Sequence, residues 1–206
     1  MKFKKNGVYW LTPSGISDTR KLVSLAGEVL NGGVCMVQYR EKSLTNKKRY
    51  DQALQLKKIC AAYNVPFIVN DCLELAQSIN ADGVHIGKED SSLELARSAL
   101  GEKKIIGVSC YNDLDKAKKI VRNGADYIAL GRFHPSKTKP NAPTCSLEIL
   151  KNAANKISIP IIAIGGINLD NAPNLIRHGA THIAIIDAIS KAKCSYLATK
   201  RLSKLF

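Results

Sequence analysis

The chain has 206 residues, 45% of them hydrophobic, with 31 Lys and Arg against 17 Asp and Glu, a formal net charge of +14. That is enough apolar material for one domain with a sizeable core, yet no apolar stretch is long enough to span a bilayer. The six cysteines are spread out with no CxxC pair, which argues against zinc fingers and suits thiols in a reduced cytoplasm. A basic balance fits nucleic acid, an anionic membrane or small anionic substrates. The lysines, however, are scattered over helix-like segments, with no aromatic-basic strand signature and no continuous basic arm, so nucleic acid is disfavoured as a partner.

Residues 1–6 are basic and lead straight into the strand-like run Val8-Tyr9-Trp10-Leu11, so no secretory leader is expected. A helical pattern follows over 19–30, then an apolar run over 34–39 and a helix over 46–63. The alternation continues with strands over 66–70, 84–87 and 105–109, and helices over 72–79, 93–100 and 114–122. Further strands over 127–131, 160–164 and 182–186 are paired with helices over 147–155 and 171–177 and with a terminal helix. Short apolar runs ending in polar groups read as buried parallel strands that deliver side chains to one rim. Eight such repeats predict a (β/α)8 barrel, one compact domain over 1–206. The rival, an open doubly wound sheet, needs a glycine-rich fingerprint after the first strand, and Thr12-Pro13-Ser14-Gly15 is not one.

An internal echo supports repetition. Ala81-Asp82-Gly83-Val84-His85-Ile86-Gly87 resembles Ala125-Asp126-Tyr127-Ile128-Ala129-Leu130-Gly131, and Gly179-Ala180-Thr181-His182-Ile183-Ala184-Ile185 is a third copy. Each reads as a helix end and tight turn feeding a strand. The longest loop, over 133–145, is rich in Pro, Lys, Thr and Asn, and a loop of that length on a compact domain is usually a binding loop or lid.

The strand ends carry the chemistry. Asp71 follows strand three and Asp90 lies just beyond strand four, so neighbouring strands bring two carboxylates to one rim. Mg2+ is typically held by one or two carboxylates plus substrate phosphates; the plain alternative for either aspartate is a helix cap. Arg40 and Lys42 alternate after strand two, a guanidinium fork and a point charge suited to phosphate. Ser109 caps strand five, and Ser136, Thr138 and Lys139 cluster on the long loop. Gly165-Gly166 after strand seven matches the place where barrels bind phosphate through backbone N–H groups. His85 reads as a core residue, His134 as a loop residue open to ligand, and His178 and His182 as positions without evident function. No Ser/His/Asp or Cys/His set is discernible, which argues against a covalent nucleophile.

Taken in order, Gln38-Tyr39-Arg40-Glu41-Lys42, Asn70-Asp71, His85-Ile86-Gly87-Lys88-Glu89-Asp90, Gly107-Val108-Ser109, Thr138-Lys139 and Ile164-Gly165-Gly166-Ile167 closely resemble the thiamin-phosphate synthase family. The resemblance runs from Tyr9 to about Ile189. It implies a TIM barrel that joins a hydroxymethylpyrimidine diphosphate to a thiazole phosphate and releases pyrophosphate. It further implies that Gln38, Tyr39, Arg40, Glu41, Lys42, Asn70, Ser109 and Lys139 hold the pyrimidine diphosphate, and that Asp71 and Asp90 bind Mg2+. Ser136, Lys137, Thr138 and Gly166 would hold the thiazole phosphate, with Ile186 and Asp187 near its far side. Arg40, Lys42, Ser109 and Lys139 are the expected catalytic set. Three departures stand out: Lys88 where the family usually has Gln, Arg132-Phe133-His134 in place of a common Pro-Ile-Phe, and Asp187 where a serine often contacts phosphate.

The expected chemistry is a dissociative displacement with no protein nucleophile. A metal-free thiazole-tautomer isomerase of related fold is the first rival, but its members tend to lose the diphosphate-binding set present here. A non-enzymatic anion- or nucleic-acid-binding protein is the second. The oligomeric state, a homo-oligomer included, is not legible.

Overall fold

Eight parallel strands close into a barrel in sequence order in the computed structural model, which describes residues 4–87, 90–136, 138 and 141–206. They are β1 (Gly7–Leu11), β2 (Met36–Tyr39), β3 (Phe67–Asn70), β4 (Gly83–Ile86), β5 (Ile105–Tyr111), β6 (Tyr127–Leu130), β7 (Ile161–Ile164) and β8 (His182–Ile185). Between them run α1 (Thr19–Asn31), α2 (Asn46–Ala62), α3 (Leu73–Ser78), α4 (Leu93–Leu100), α5 (Leu114–Arg122), α6 (Leu147–Lys156) and α7 (Ala172–Arg177). The expected terminal helix is instead two pieces, a single turn α8 (Asp187–Ser190) and then α9 (Ser195–Ser203). Among the described residues, no helix is long and apolar enough to cross a membrane.

Side-chain alternation along each strand divides the apolar residues into two cores. Val8, Trp10, Val37, Phe67, Val69 and Val84 face outward and pack under the helices. Tyr9, Leu11, Met36, Ile68, Tyr127 and Ile162 fill the barrel itself. Several helices start where a short polar side chain accepts backbone N–H groups: Asp18 for α1, Thr45 for α2, Ser92 for α4, Asp113 for α5 and Ser146 for α6.

The sequence echo has a definite physical cause. Asp82 accepts the N–H of Phe67 at 2.9 Å, Asp126 that of Ile106 at 2.8 Å, and Thr181 that of Ile161 at 2.9 Å. Each side chain, entering an even strand, satisfies a backbone donor at the foot of the odd strand before it. Cys35 is a fourth copy too altered to be seen in the sequence. Its N–H donates to the Val8 carbonyl, as the N–H groups of Asp82, Asp126 and Thr181 donate to Phe67, Ile106 and Ile161. The Cys35 thiol also meets that carbonyl at 3.1 Å.

Candidate active site

At the C-terminal ends of the strands opens a cavity of about 330 Å³. One side is apolar, with Ala129, Ile162, Ile164 and Ala184 from β6, β7 and β8. The small side chains on β6 and β8 leave the room that larger ones would fill. The opposite side is polar, with Gln38, Arg40, Asn70, Asp71, His85 and Ser109.

The β1–α1 loop sets Arg40. Its backbone N–H donates to Thr12 Oγ1 at 2.9 Å, and its guanidinium to Ser14 Oγ at 3.0 Å. Thr12 and Ser14, no fingerprint in the sequence, therefore position the first cation of the mouth. Lys42 reaches across to Asp71, Nζ to Oδ2 at 3.1 Å, with the lysine more than half exposed. Glu41 turns inward and is nearly buried. It accepts the N–H of Gly15 at 2.7 Å and both the N–H and hydroxyl of Ser43, at 2.6 and 2.7 Å. Burial opposes its charge, but these hydrogen bonds win and hold its carboxyl below the ordinary range. Tyr39 also faces away from the cavity, donating to Gln52 on α2 at 3.0 Å and stacking on Phe67. Odd–even alternation along β2 and just beyond it separates both side chains from Gln38 and Arg40, the two residues of the stretch that line the cavity.

The carboxyls of Asp71 and Asp90 meet on the same rim, close enough for one to donate a proton to the other when it is protonated. The helix-cap alternative does not describe either. The cap of α3 is Cys72 and that of α4 is Ser92, whereas Asp71 sits at φ +62° and Asp90 accepts the Gly87 N–H at 2.6 Å. Burial disfavours charge on both. At Asp71 the bond from Asp90 and the Lys42 ammonium outweigh it and keep the carboxyl below its usual range. At Asp90 burial and the neighbouring Asp71 act together and raise it. Two carboxylates forced together at a cavity mouth make an oxygen-only donor pair, which fits a hard divalent cation completed by ligand oxygens. Among the described residues, no cluster of three or more His, Cys, Asp or Glu exists for a zinc-type site. The buried thiols are inert, with Cys35, Cys60 and Cys110 pushed up to about 12 by desolvation.

Ser109 is not at the end of β5, as the sequence suggested, because the strand runs on to Tyr111 through a register shift. That irregularity lets both Ser109 and Tyr111 line the cavity. Beneath them lies a network that strand-end motifs could not reveal. Tyr9 and Tyr127 meet hydroxyl to hydroxyl at 3.0 Å, and Gln38 Nε2 donates to Tyr9 at 2.8 Å. His85 touches the Tyr127 hydroxyl through Nδ1 at 3.0 Å and Ser109 Oγ through Nε2 at 2.9 Å. His85 is thus buried, as expected of a core residue, but it also lines the site. Gly107 of the Gly-Val-Ser motif makes room for this network, since a Cβ there would overlap the Tyr127 ring.

On the β7–β8 side, Gly165 (φ +104°) and Gly166 (φ +61°) adopt backbone conformations that side chains resist. A Cβ on Gly165 would lie 2.7 Å from Arg132 Cα. The close approach lets His134 N–H donate to the Gly165 carbonyl at 3.0 Å, and Phe133 N–H to that of Ile164 at 3.1 Å. The base of the long loop is thereby stitched to β7, which brings Ser136 and Thr138 to the cavity with Gly166. Ile186 and Asp187 line it from the start of α8, just beyond β8, and Asp187 is paired with Lys191 at 2.7 Å. Helix α7 starts at Ala172, one residue later than expected, with Asn171 as its cap. Lys88, Lys137 and Lys139 lie outside the described residues.

A closed parallel barrel with cations, paired carboxyls and hydroxyls gathered around one mouth defines a (β/α)8 protein whose strand-end site suits an anionic ligand. A family model described as thiamine monophosphate synthase matches residues 8–189. The chain is 43% identical to the thiamine-phosphate synthase of Nitrosomonas eutropha over 205 residues, covering 100% of this chain and 96% of that one. It is also 43% identical to that of Thiobacillus denitrificans over 206 residues, covering 100% and 97%. The solved thiamine phosphate pyrophosphorylase from Pyrococcus furiosus superposes with a TM-score of 0.86 at 33% identity, covering 98% of this chain and 95% of that one. The chain belongs to the thiamine monophosphate synthase family.

Proposed function

We propose that this chain couples 4-amino-2-methyl-5-(diphosphooxymethyl)pyrimidine to 4-methyl-5-(2-phosphoethyl)thiazole, or to its carboxylated form with loss of CO2, giving thiamine phosphate and pyrophosphate. Family membership supports the reaction class. The observation that carries the reading is that Arg40 and Asp71 line the polar side of a cavity whose other side is apolar, with Lys42 and Asp90 both held against Asp71 at its rim.

Arg40 offers a fork to the diphosphate oxygens and Lys42 a point charge beside Asp71. Asn70 and Ser109 supply further polar contacts, and Gln38 reads the pyrimidine. Asp71 and Asp90 would hold Mg2+, which when bound neutralises diphosphate charge. The bond between the pyrimidine's exocyclic CH2 and the diphosphate oxygen breaks, and its electron pair leaves with pyrophosphate. The ring amino group delocalises the positive charge left on that carbon, and the thiazole nitrogen lone pair closes the new C–N bond. No protein nucleophile is required. The apolar side formed by Ala129, Ile162 and Ala184 keeps water from capturing the cation first. Ser136, Thr138 and Gly166 receive the thiazole phosphate. Lys191 offsets the charge of Asp187, the residue expected to repel that phosphate.

The test is a pyrophosphate-release assay with both half-substrates, each omitted in turn. Release is expected only with both present, abolished by chelation and restored by Mg2+. Metal-independent interconversion of thiazole tautomers without coupling overturns the reading.

A further inference from the structure

The five residues from Gln38 to Ser109 form one continuous chain of hydrogen bonds across the barrel, in the order Gln38, Tyr9, Tyr127, His85, Ser109. Its links measure 2.8, 3.0, 3.0 and 2.9 Å, and each residue comes from a different strand. Both ends line the cavity. Gln38, Tyr9 and Tyr127 are almost wholly buried, so the links are shielded from competing water.

Such a chain has a direction. A phenol carries one proton to donate, and a neutral imidazole carries one N–H. Either hydroxyl can donate in the Tyr9–Tyr127 contact, and the Tyr127–His85 contact depends on the tautomer. In one sense, with Gln38 Nε2 donating to Tyr9, Tyr9 donates to Tyr127 and Tyr127 to His85 Nδ1. His85 then bears its proton on Nε2 and donates to Ser109. The Ser109 hydroxyl keeps its own proton for a ligand oxygen, and Gln38 keeps Oε1 as an acceptor. In the opposite sense, Ser109 would spend its proton on His85 and Gln38 would present only an amide donor. The first sense suits the mouth. A diphosphate gathered by Arg40 and Lys42 needs donors, and an amino-pyrimidine needs an acceptor.

We propose that Tyr9, Tyr127 and His85 are positioning residues. They hold His85 in the Nε2–H tautomer, and so set Ser109 to donate to a diphosphate oxygen and Gln38 to accept from the pyrimidine's amino group. The inference rests on the pyrimidine-diphosphate reading of the site.

Nitrogen-15 NMR of the full chain labelled in histidine reads the tautomer without substrate or turnover; loss of the signal in His85→Gln assigns it. The expected wild-type state is Nε2–H. Tyr127→Phe removes the donor to Nδ1, and should mix the tautomers and lower kcat about tenfold, the scale of one lost hydrogen bond. Tyr9→Phe leaves that donor in place. It should keep the tautomer but free the Gln38 amide, raising KM for the pyrimidine diphosphate about tenfold with a smaller change in kcat. An Nδ1–H tautomer in the wild type overturns the proposal, and so does an unchanged tautomer in Tyr127→Phe. The wild-type spectrum decides alone if Tyr127→Phe does not fold. A protein with the Nε2–H tautomer but no coupling activity would separate failure of the functional reading from failure of this one.

Discussion

Read from the chain alone, either aspartate at the mouth fits a helix cap, and so do many aspartates after strands. What distinguishes Asp71 and Asp90 is that each caps nothing while its carboxyl meets the other's beside Lys42. On the proposed chemistry, Lys42→Ala removes a cation from the leaving group and Asp90→Asn removes a metal ligand. Each should slow single-turnover product formation by about 10²–10³-fold with saturating substrates, as loss of one electrostatic contact does in well-studied sites. Raising Mg2+ should recover part of the rate in Asp90→Asn and none in Lys42→Ala. Unchanged rates in both variants remove the mechanism. At this scale the places of Arg40 and Asp71 at the mouth were legible because polar residues after strand ends reach the rim of a barrel, whereas Ser109 lines the cavity from within β5. Tyr9, Tyr127 and His85 were not, because residues within apolar strand runs look like ordinary core. The one usable signal was Gly107, a glycine in a strand where neighbouring bulk must be admitted.

Among the elements, the repeated feet of the even strands matter most for stability. Asp126 accepts the Ile106 N–H and binds Arg97 at 2.7 Å, with both side chains mostly buried. Arg97 in turn donates to the carbonyls of Gly101, Lys104 and Gly124. One guanidinium thus ties the end of α4 and the turns beyond α4 and α5 to β6. Asp126→Ala strands a buried N–H and removes the counter-charge of a nearly buried cation, and should cost about 2–4 kcal/mol in urea denaturation. The chemistry at the far rim should persist wherever the variant is folded. A loss under about 0.5 kcal/mol, the usual range for surface substitutions, would falsify this account of the repeat. The echo itself was visible in three copies; the fourth, at Cys35, was hidden because a thiol, which donates to the Val8 carbonyl, stands where Asp82, Asp126 and Thr181 offer an oxygen acceptor.

For the whole molecule, a fully buried histidine links closure of the barrel to pH. His182 sits at the start of β8, with Nε2 3.2 Å from the Lys4 carbonyl and Nδ1 2.9 Å from Thr181 Oγ1. Desolvation pulls its pKa down from 6.5 to about 4. The folded state therefore prefers the neutral ring. Its contribution is intact above pH 6.5 and is lost as pH falls from there towards 4, where the unfolded chain binds the extra proton. About 2–3 kcal/mol should disappear by pH 4.5, since each tenfold difference in proton affinity between the two states is worth about 1.36 kcal/mol. Denaturation of His182→Asn alongside the wild type checks this, since the gap between them should shrink as pH falls through that window. A constant gap would show that His182 does not carry the acid sensitivity.

The order of elements, the closed parallel barrel and the family were determined by the sequence itself. Hydrophobic periodicity, turn residues and strand-end motifs are local patterns, and eight of them in succession admit few topologies. Only the tertiary structure decided which neighbours face one another. It turned Tyr39 and Glu41 away from the cavity and led β5 past Ser109. It also joined five residues from five strands into one hydrogen-bonded chain. Those outcomes depend on strand register and on space left by absent side chains, quantities summed over distant segments that no local stretch of sequence encodes.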